Sequence, residues 1–211
     1  MTQTVYVGID PGAKGAIAAI FPDGTVWSEH VPYCTKRKKV RGKTKGGKSR
    51  YKTESHNYDF LKMFRMLRRF AKAQSDDLTV VVALERQQGM RHDNKRTATA
   101  VGRSQGIWEA LIGAAKLPTP RRISPGMWKV RYVPRGAPKK ASVVACLKLY
   151  PKADLPLVKD EARAEAILIA DYVLRQDQGL EYPFAATEHR KRVSKIIAGR
   201  QARRKRRRGR R

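Results

Sequence analysis

Short apolar runs along the chain, rich in β-branched residues, predict five β-strands. Asp23 and Gly24 between the second and third runs are a typical signal for a two-residue hairpin turn. The fourth run is almost entirely apolar, as expected of a central strand that is covered on both faces. The five runs cover residues 5–9, 15–21, 25–31, 78–84 and 118–123.

Four other segments have apolar residues three or four positions apart, which predicts α-helices. The first covers Phe60 to Phe70, and Asn57 is its candidate N-cap. The others cover residues 97–115, 139–149 and 161–174. Three antiparallel strands followed by helix, strand, helix, strand and helix indicate an α/β fold, with a mixed five-stranded sheet and helices on both faces.

The positive charge of the chain is concentrated in two segments. The formal net charge is +29, from 47 Lys and Arg against 18 Asp and Glu. Residues 36–52 carry ten of these cations and residues 190–211 carry thirteen, with no acid in either segment, so the rest has a net charge of only +6. We expect one domain over residues 1–177 with a basic loop or disordered insert at about 33–56, and a flexible basic tail over 178–211. Such charge favours a polyanionic partner, above all nucleic acid.

Other compartments and partners find less support in the sequence. Cys34 and Cys146 form neither a disulfide framework nor a zinc-ligand pattern, which favours a reducing compartment. An anionic membrane would require an amphipathic or lipidated anchor, and the sequence offers neither. No run is long enough to span a bilayer, and Met1 is followed almost at once by the first strand, so we expect no targeting peptide. We therefore expect a cytoplasmic location, in a bacterial cytoplasm or nucleoid or in a phage-infected host.

Four acidic residues stand where an α/β fold gathers functional groups. Asp10 and Glu85 end the first and fourth strands, and Glu161 and Glu165 lie four residues apart on one helix face. Each also has an ordinary explanation: a turn residue, a partner of a neighbouring arginine, or a favourable charge at a helix start. Together, however, they would repel one another unless cations bound between them. Hard divalent ions prefer such oxygen ligands, and two of them can catalyse phosphodiester hydrolysis.

Five motifs, in order along the chain, resemble RuvC-type Holliday junction resolvases. Gly-Ile-Asp-Pro-Gly at 8–12 resembles the first family motif, and Leu-Glu-Arg-Gln-Gln-Gly-Met at 84–90 resembles the second. Residues 102–108 look like the glycine-containing helix that follows. Residues 124–129, with Trp-Lys at their end, and Arg-Ala-Glu-Ala at 163–166 are similar to segments of phage and organellar members. The resemblance spans residues 5 to 173.

This resemblance implies an RNase H-like nuclease that acts as a homodimer. It implies Mg²⁺ or Mn²⁺ as cofactor, with two ions per site, and a four-way DNA junction that is nicked on two opposed strands. Asp10, Glu85 and Glu165 would then be metal ligands. The family commonly has Asp four residues before the last acid, whereas this chain has Glu161 there and Asp160 just before it. Helix phase favours Glu161 as the fourth ligand, with Asp160 as the alternative.

Several cations near these motifs are candidates for DNA contact. Lys129 is either one more phosphate-facing cation or a group that stabilises charge at the scissile phosphate; the resemblance favours the second. Trp128 is expected to pack in the core. Residues Gln87, Gln88 and Met90 could wedge into the junction centre. Phosphate contacts are expected from Arg86, Arg91, Lys95, Arg96 and Arg103.

The basic insert and tail have no counterpart in the minimal family pattern. We hypothesise that they wrap the junction arms and add affinity that does not depend on sequence. A nuclear-localisation signal at residues 203–208 is an alternative for the tail.

Two rival functions stay open at the level of sequence. The first is another RNase H-like nuclease, acting on flaps, hybrids or other branched DNA. The second is a non-catalytic basic nucleic-acid-binding protein, which would leave the carboxylates at the strand ends unexplained. The Trp-Lys and Arg-Ala-Glu-Ala motifs favour a phage or bacterial origin over an organellar one.

Overall fold

The computed structural model describes residues 3–183 except 13, 44–48, 88–94, 139 and 156–159, and it describes only the backbone of residues 35–56 and 96. Along the chain the strands are β1 (Gln3–Asp10), β2 (Ala16–Ile20), β3 (Val26–His30), β4 (Tyr33–Lys43), β5 (Ser49–Tyr58), β6 (Leu78–Glu85) and β7 (Arg121–Ile123). The helices are α1 (Phe60–Ala73), α2 (Lys95–Ala114), α3 (Pro125–Tyr132), α4 (Ala141–Leu149) and α5 (Glu161–Gln178).

Five strands form one mixed sheet in the order β3-β2-β1-β6-β7. Antiparallel pairing joins β1 to β2 and β2 to β3, whereas β1 pairs with β6, and β6 with β7, in parallel. The two central strands carry apolar residues on both faces, because helices cover both faces. The predicted mixed five-stranded α/β architecture is confirmed.

The two faces of the sheet hold separate apolar clusters. On one face, Val7, Ile9 and Leu84 pack with residues of α1 and α2. On the other, Tyr6 and Ala83 pack with residues of α3, α4 and α5. Each strand therefore divides its side chains between two helical layers, according to the period of two that a strand imposes.

Helix α5 lies unusually close to β1, and Gly8 makes this possible. A Cβ atom at this position would overlap the carbonyl oxygen of Ala166 and lie 2.6 Å from the backbone nitrogen of Ala170. Both are backbone atoms of α5 that cannot move aside. The absence of a side chain at Gly8 thus sets the distance between the central strand and the helix that carries two of the predicted acids.

The basic insert is not the loop that its composition predicted. Strands β4 and β5 pair in antiparallel register as a separate two-stranded sheet, with irregularities at Cys34/Thr35 and Val40/Lys43. At its base the rings of Tyr33 and Tyr58 lie 4.7 Å apart. Backbone hydrogen bonds between antiparallel strands require no apolar face, so a search for apolar periodicity missed this hairpin.

The helix boundaries also depart from the prediction in places. Asp59 caps α1, since its side chain accepts from the backbone nitrogen of Lys62 at 3.0 Å, whereas Asn57 lies in β5, so its predicted role as cap is wrong. Helix α3 was missed, because eight residues are too few to show a period, although Pro125 at its start is a typical first-turn residue. Only three residues of the predicted run 118–123 pair as β7.

The chain continues to pack against the domain after α5. This helix ends at Gly179, which has a φ of +64°. Beyond it, the ring of Tyr182 stacks on that of Tyr172 at 5.3 Å and meets that of Tyr132 edge-on. The rest of the basic tail, 184–211, lies outside the described residues. Among the helices that the structure describes, none has the length and apolar character needed to cross a membrane.

Candidate active site

Asp10 and Glu85 lie side by side at one edge of the sheet. Their strands run in parallel, and the residues just before them, Ile9 and Leu84, are register partners. Because side chains alternate along a strand, Asp10 shares the face of Gly8, which is the face that α5 covers, and Glu85 shares the face of Ala83. The fold thus places both carboxylates at the same edge and on the same face of the sheet.

Helix α5 brings a third carboxylate to this place. Glu165 is buried, with 8% of its surface exposed. Its Oε1 atom accepts a hydrogen bond from the hydroxyl of Ser142 at 3.0 Å and lies 2.7 Å from Nζ of Lys129. Helices α3 and α4 therefore each supply one donor to the same carboxylate oxygen, which fixes the orientation of Glu165.

Burial and neighbouring charges raise the pKa of two of these carboxylates, Asp10 and Glu85. Burial raises the pKa of Asp10 to about 6, and the charges of Glu165 and Glu161 add to this rise, although the backbone N–H of Gly12 donates to Oδ1 at 3.0 Å and Lys129 lies nearby. Burial also raises the pKa of Glu85 to about 7, with further contributions from the charges of Asp10 and Glu165. The site holds several negative groups in a place where water solvates them poorly.

Lys129 is the cation that partly balances these groups. Burial disfavours its charged form, but the hydrogen bond and charge of Glu165, with the charges of Glu85 and Asp10, outweigh burial and raise the pKa of Lys129. Its ammonium group also lies 5.3 Å from the ring centre of Trp128. Lys129 thus contacts the acidic cluster directly and is not simply one cation among the many on the surface.

Trp128 has a second role besides the core packing that was predicted. Its side chain is fully buried, which confirms the packing. In addition, its indole Nε1 donates to Oε1 of Glu85 at 2.9 Å. None of the ion pairs between described residues includes Glu85, so its partner is this indole and not Arg86, and Arg91 lies outside the described residues.

Asp160 and Glu161, the two candidates for a fourth ligand, have different surroundings. Asp160 is buried, and its Oδ1 lies 3.4 Å from Nε2 of His30 and 3.5 Å from a guanidinium nitrogen of Arg163. Glu161 is instead one of the charges that raise the pKa of Asp10. The surroundings of Glu161 therefore relate it to the acidic cluster, whereas Asp160 belongs to a neighbouring ion-pair group.

The donor chemistry suits a hard divalent cation, but the side chains are not gathered into a ligand set. Clustered carboxylates with raised pKa values, poorly solvated and mutually repulsive, are the groups that such an ion would stabilise. Within the described part of the chain, however, no group of three or more His, Cys, Asp or Glu side chains is close enough together to hold a metal ion. The carboxylate oxygens are therefore suitable ligands for such a metal ion, but the side chains would have to move closer together to bind it.

The predicted DNA-contacting residues are only partly described. Arg86 and Lys95 are exposed. Arg103 is also exposed and donates to Oδ1 of Asn57 at 2.8 Å. Arg91, Gln88, Met90 and the side chain of Arg96 lie outside the described residues.

Sequence reasoning missed two supporting contacts. Ser142 lies in an apolar helix with no motif around it, so nothing in the sequence pointed to its bond with Glu165. Ser104, within the glycine-containing motif, donates to the carbonyl oxygen of Pro11 and accepts from the hydroxyl of Tyr58 at 2.9 Å. This second chain of hydrogen bonds ties the turn that follows Asp10 to α2 and to the base of the β4–β5 hairpin.

Comparisons with known proteins give a likeness of fold only. No model of a known protein family matches the chain, and no curated protein matches it either. Among solved structures, RuvC of Thermus thermophilus aligns over 85% of this chain and 99% of its own, at 16% identity and a TM-score of 0.44. The same protein in complex with a Holliday junction substrate aligns equally far, at 15% identity and the same TM-score. The function of this chain must therefore be argued from its own residues.

Proposed function

We propose that this chain is a metal-dependent endonuclease that cuts four-way DNA junctions. One observation carries the proposal: Asp10, Glu85 and Glu165, remote in sequence, lie close enough at one edge of the sheet for the charge of Glu165 to raise the pKa of both Asp10 and Glu85. A non-catalytic basic protein needs no such cluster, because buried carboxylates lower the stability of the fold and add nothing to its attraction for phosphates. Perturbed carboxylates beside a half-buried lysine are typical of catalytic sites.

The acids and Lys129 have different roles in the proposed site. Asp10, Glu85, Glu165 and Glu161 would hold two Mg²⁺ ions, or Mn²⁺, and the bound metal would activate water and stabilise the leaving oxygen. Lys129 would stabilise negative charge that develops at the scissile phosphate.

The supporting groups hold the acids in place. Trp128 orients Glu85, and Ser142 orients Glu165, through the hydrogen bonds of 2.9 and 3.0 Å. Such outer partners commonly influence metal affinity and activity by about 10- to 100-fold.

The choice of a junction as substrate is supported by the ordered sequence motifs, including their similarity to phage and organellar members. A homodimer would present two sites related by a two-fold axis to a substrate of similar symmetry. The exposed cations Arg86 and Lys95, which follow Glu85 in sequence, would contact phosphates near the cut, as would Arg91, Arg96 and Arg103.

Cleavage of a mobile four-way junction tests this function. We expect Mg²⁺-dependent, paired nicking by the unmodified chain, and a loss of more than about 100-fold with Asp10→Asn or Glu85→Gln, since a ligand matters more than its outer partners. The matched controls are Asp76→Asn and Glu181→Gln, which remove the same charges from exposed positions away from the cluster. Both controls should cut at the rate of the unmodified chain.

Other outcomes would separate the rival functions. Nicking that persists in Asp10→Asn or in excess chelator would refute the assignment of the site. Preference for a flap or an RNA–DNA hybrid over the junction in direct competition would favour another RNase H-like nuclease. Tight junction binding without turnover in either metal would favour a non-catalytic binder.

A further inference from the structure

The exposed face of α1 carries a row of positive charges that the proposed site does not use. Apolar residues of this helix, Met63, Met66, Leu67 and Phe70, are buried against the sheet. Its five cations are all exposed and, at about 100° per residue, fall within roughly a third of the helix circumference. They are Lys62, Arg65, Arg68, Arg69 and Lys72.

Within the part of the chain that the structure describes, no acid forms an ion pair with this row. Helix α1 contains no Asp or Glu, and none of the ion pairs between described residues includes one of its cations. Cations elsewhere are often paired; Arg121 and Arg122, for example, meet Asp177 and Glu109. The α1 row therefore keeps its full attraction for an external anion.

Two members of the row are held in place by aromatic rings. The guanidinium of Arg69 lies 4.8 Å from the ring centre of Trp27, and that of Arg68 lies 5.8 Å from that of Phe64. Trp27 in turn packs edge-on against Phe70 in the core. A cation seated on a ring loses less conformational entropy on binding than a free one, which suits a surface that binds a ligand.

The direction of α1 relates this row to the acidic cluster. The helix begins next to Tyr58, whose hydroxyl bonds to Ser104 and through it to Pro11, the residue after Asp10. It ends just before the start of β6, where Leu78 pairs with Gln3 at the opposite edge of the sheet. The row thus leads away from the carboxylate edge from Lys62 to Lys72, ten helical steps or about 15 Å.

We propose that the α1 row is the surface along which one duplex arm of the substrate lies, held by its phosphates. At about 3.4 Å per base pair along one strand, 15 Å corresponds to roughly four base pairs. A helix face with five exposed cations and no acid among the helix's own residues suits a DNA backbone better than a protein partner, whose charges are mixed. The inference rests on the proposed function for the identity of the substrate, a four-way junction.

Removing three charges from the row should change the salt dependence of binding. Lys62→Gln, Arg65→Gln and Lys72→Gln together would lower the slope of log affinity against log salt by up to about 2.7, since each phosphate contact contributes about 0.9. The binding deficit of this triple variant should therefore be about 40-fold greater at 50 mM than at 200 mM salt. The three substitutions cover both ends of the helix, and they leave Arg68 and Arg69, which pack on aromatic rings, unchanged.

The matched control removes the same charge from the other helical layer. Arg135, Lys148 and Lys152 are exposed and lie outside α1, in and around α4, so their triple change to Gln keeps the net charge equal to that of the α1 variant. Binding is measured with Glu85→Gln protein and a junction with 20-base-pair arms, so that cleavage does not interfere. An equal deficit in both triples, or an unchanged slope in the α1 triple, would overturn the proposal.

A tethered cleavage reagent maps the arm directly. An iron chelate is attached to Lys62→Cys or Lys72→Cys in a Cys34→Ser background, because Cys34 is exposed and Cys146 is buried. Ten residues of helix span about 15 Å, so strand scission from position 72 should lie about four base pairs farther from the crossover than scission from position 62. Scission at the same place from both positions, or none within an arm, would refute the path.

The two proposals fail in different ways. If the unmodified chain cut no substrate in Mg²⁺ while the salt and scission results held, the arm surface would stand and the nuclease would not. If cutting persisted and the α1 triple matched its control, the nuclease would stand and the arm would lie on another surface.

Discussion

The buried charge of Glu85 should make the metal-free protein less stable than a neutral variant. Glu85 is 7% exposed and lies near Asp10 and Glu165, so its ionised form is disfavoured in the folded state. Glu85→Gln keeps the size of the side chain and leaves an oxygen that can accept from the indole of Trp128. The substitution thus removes the charge and little else.

The size of the effect follows from the pKa of Glu85. Burial and the neighbouring charges raise it from 4.5 to about 7. At about 1.4 kcal/mol per pKa unit, ionising Glu85 at high pH destabilises the fold by about 3 kcal/mol. The folded state binds the proton more tightly than the unfolded state, so stability falls as pH rises from 4.5 to about 7 and the full cost is present above 7.

Denaturation at two pH values in the presence of chelator measures this cost. At pH 8, the free energy of unfolding of Glu85→Gln should exceed that of the unmodified chain by up to about 3 kcal/mol. For a domain of this size, that difference corresponds to a rise in Tm of roughly 6 to 12 °C. At pH 4 the two should be equal, and Glu181→Gln should match the unmodified chain at both. Mg²⁺ should stabilise the unmodified chain and Glu181→Gln, but not Glu85→Gln. An advantage for Glu85→Gln that is the same at both pH values would refute the reasoning.

Three more substitutions test contacts made by helix α5. Gly8→Ala should lower the free energy of unfolding by about 1–3 kcal/mol or more, because its Cβ would overlap the α5 backbone at Ala166. Differential scanning calorimetry would show this as a lower Tm. Ser142→Ala should raise the Mg²⁺ concentration for half-maximal cleavage by about 10- to 100-fold, since Glu165 loses a donor. Asp171→Asn should cost about 3 kcal/mol in urea denaturation, because buried Asp171 accepts from two tyrosines and Arg175.

Each of these has a result that would contradict it. Unchanged thermal stability of Gly8→Ala would mean that α5 does not lie as close to β1 as described. A lower cleavage rate for Ser142→Ala at saturating Mg²⁺, with no change in metal dependence, would argue against its role in orienting Glu165. Asp177→Asn breaks an exposed pair and should cost less than about 1 kcal/mol; a cost equal to that of Asp171→Asn would show that burial does not decide the effect.

The sheet could be predicted because its signals are local. Apolar runs bounded by turn residues marked β1, β2, β3 and β6, and the ends of the first and last of these runs placed Asp10 and Glu85 at strand ends. The acids of α5 could be placed on one helix face from their spacing of four residues. These predictions needed only the neighbours of each residue in sequence.

The parts that could not be predicted depend on contacts between distant segments. Strands β4 and β5 hold together by backbone pairing, which composition rich in Lys and Gly does not reveal. Ser142 meets Glu165 only because α4 packs on α5. The partner of Glu85 proved to be Trp128, 43 residues away, and not an adjacent arginine.

The ladder between β1 and β6 fixes where the chain can change in length. A one-residue insertion inside either strand, before Asp10 or Glu85, would turn that carboxylate towards the layer of α1 and α2. A two-residue insertion would restore the face but displace the group by about 7 Å. We therefore expect insertions to be tolerated in surface connections, such as the β4–β5 hairpin between β3 and α1, and not inside the two central strands.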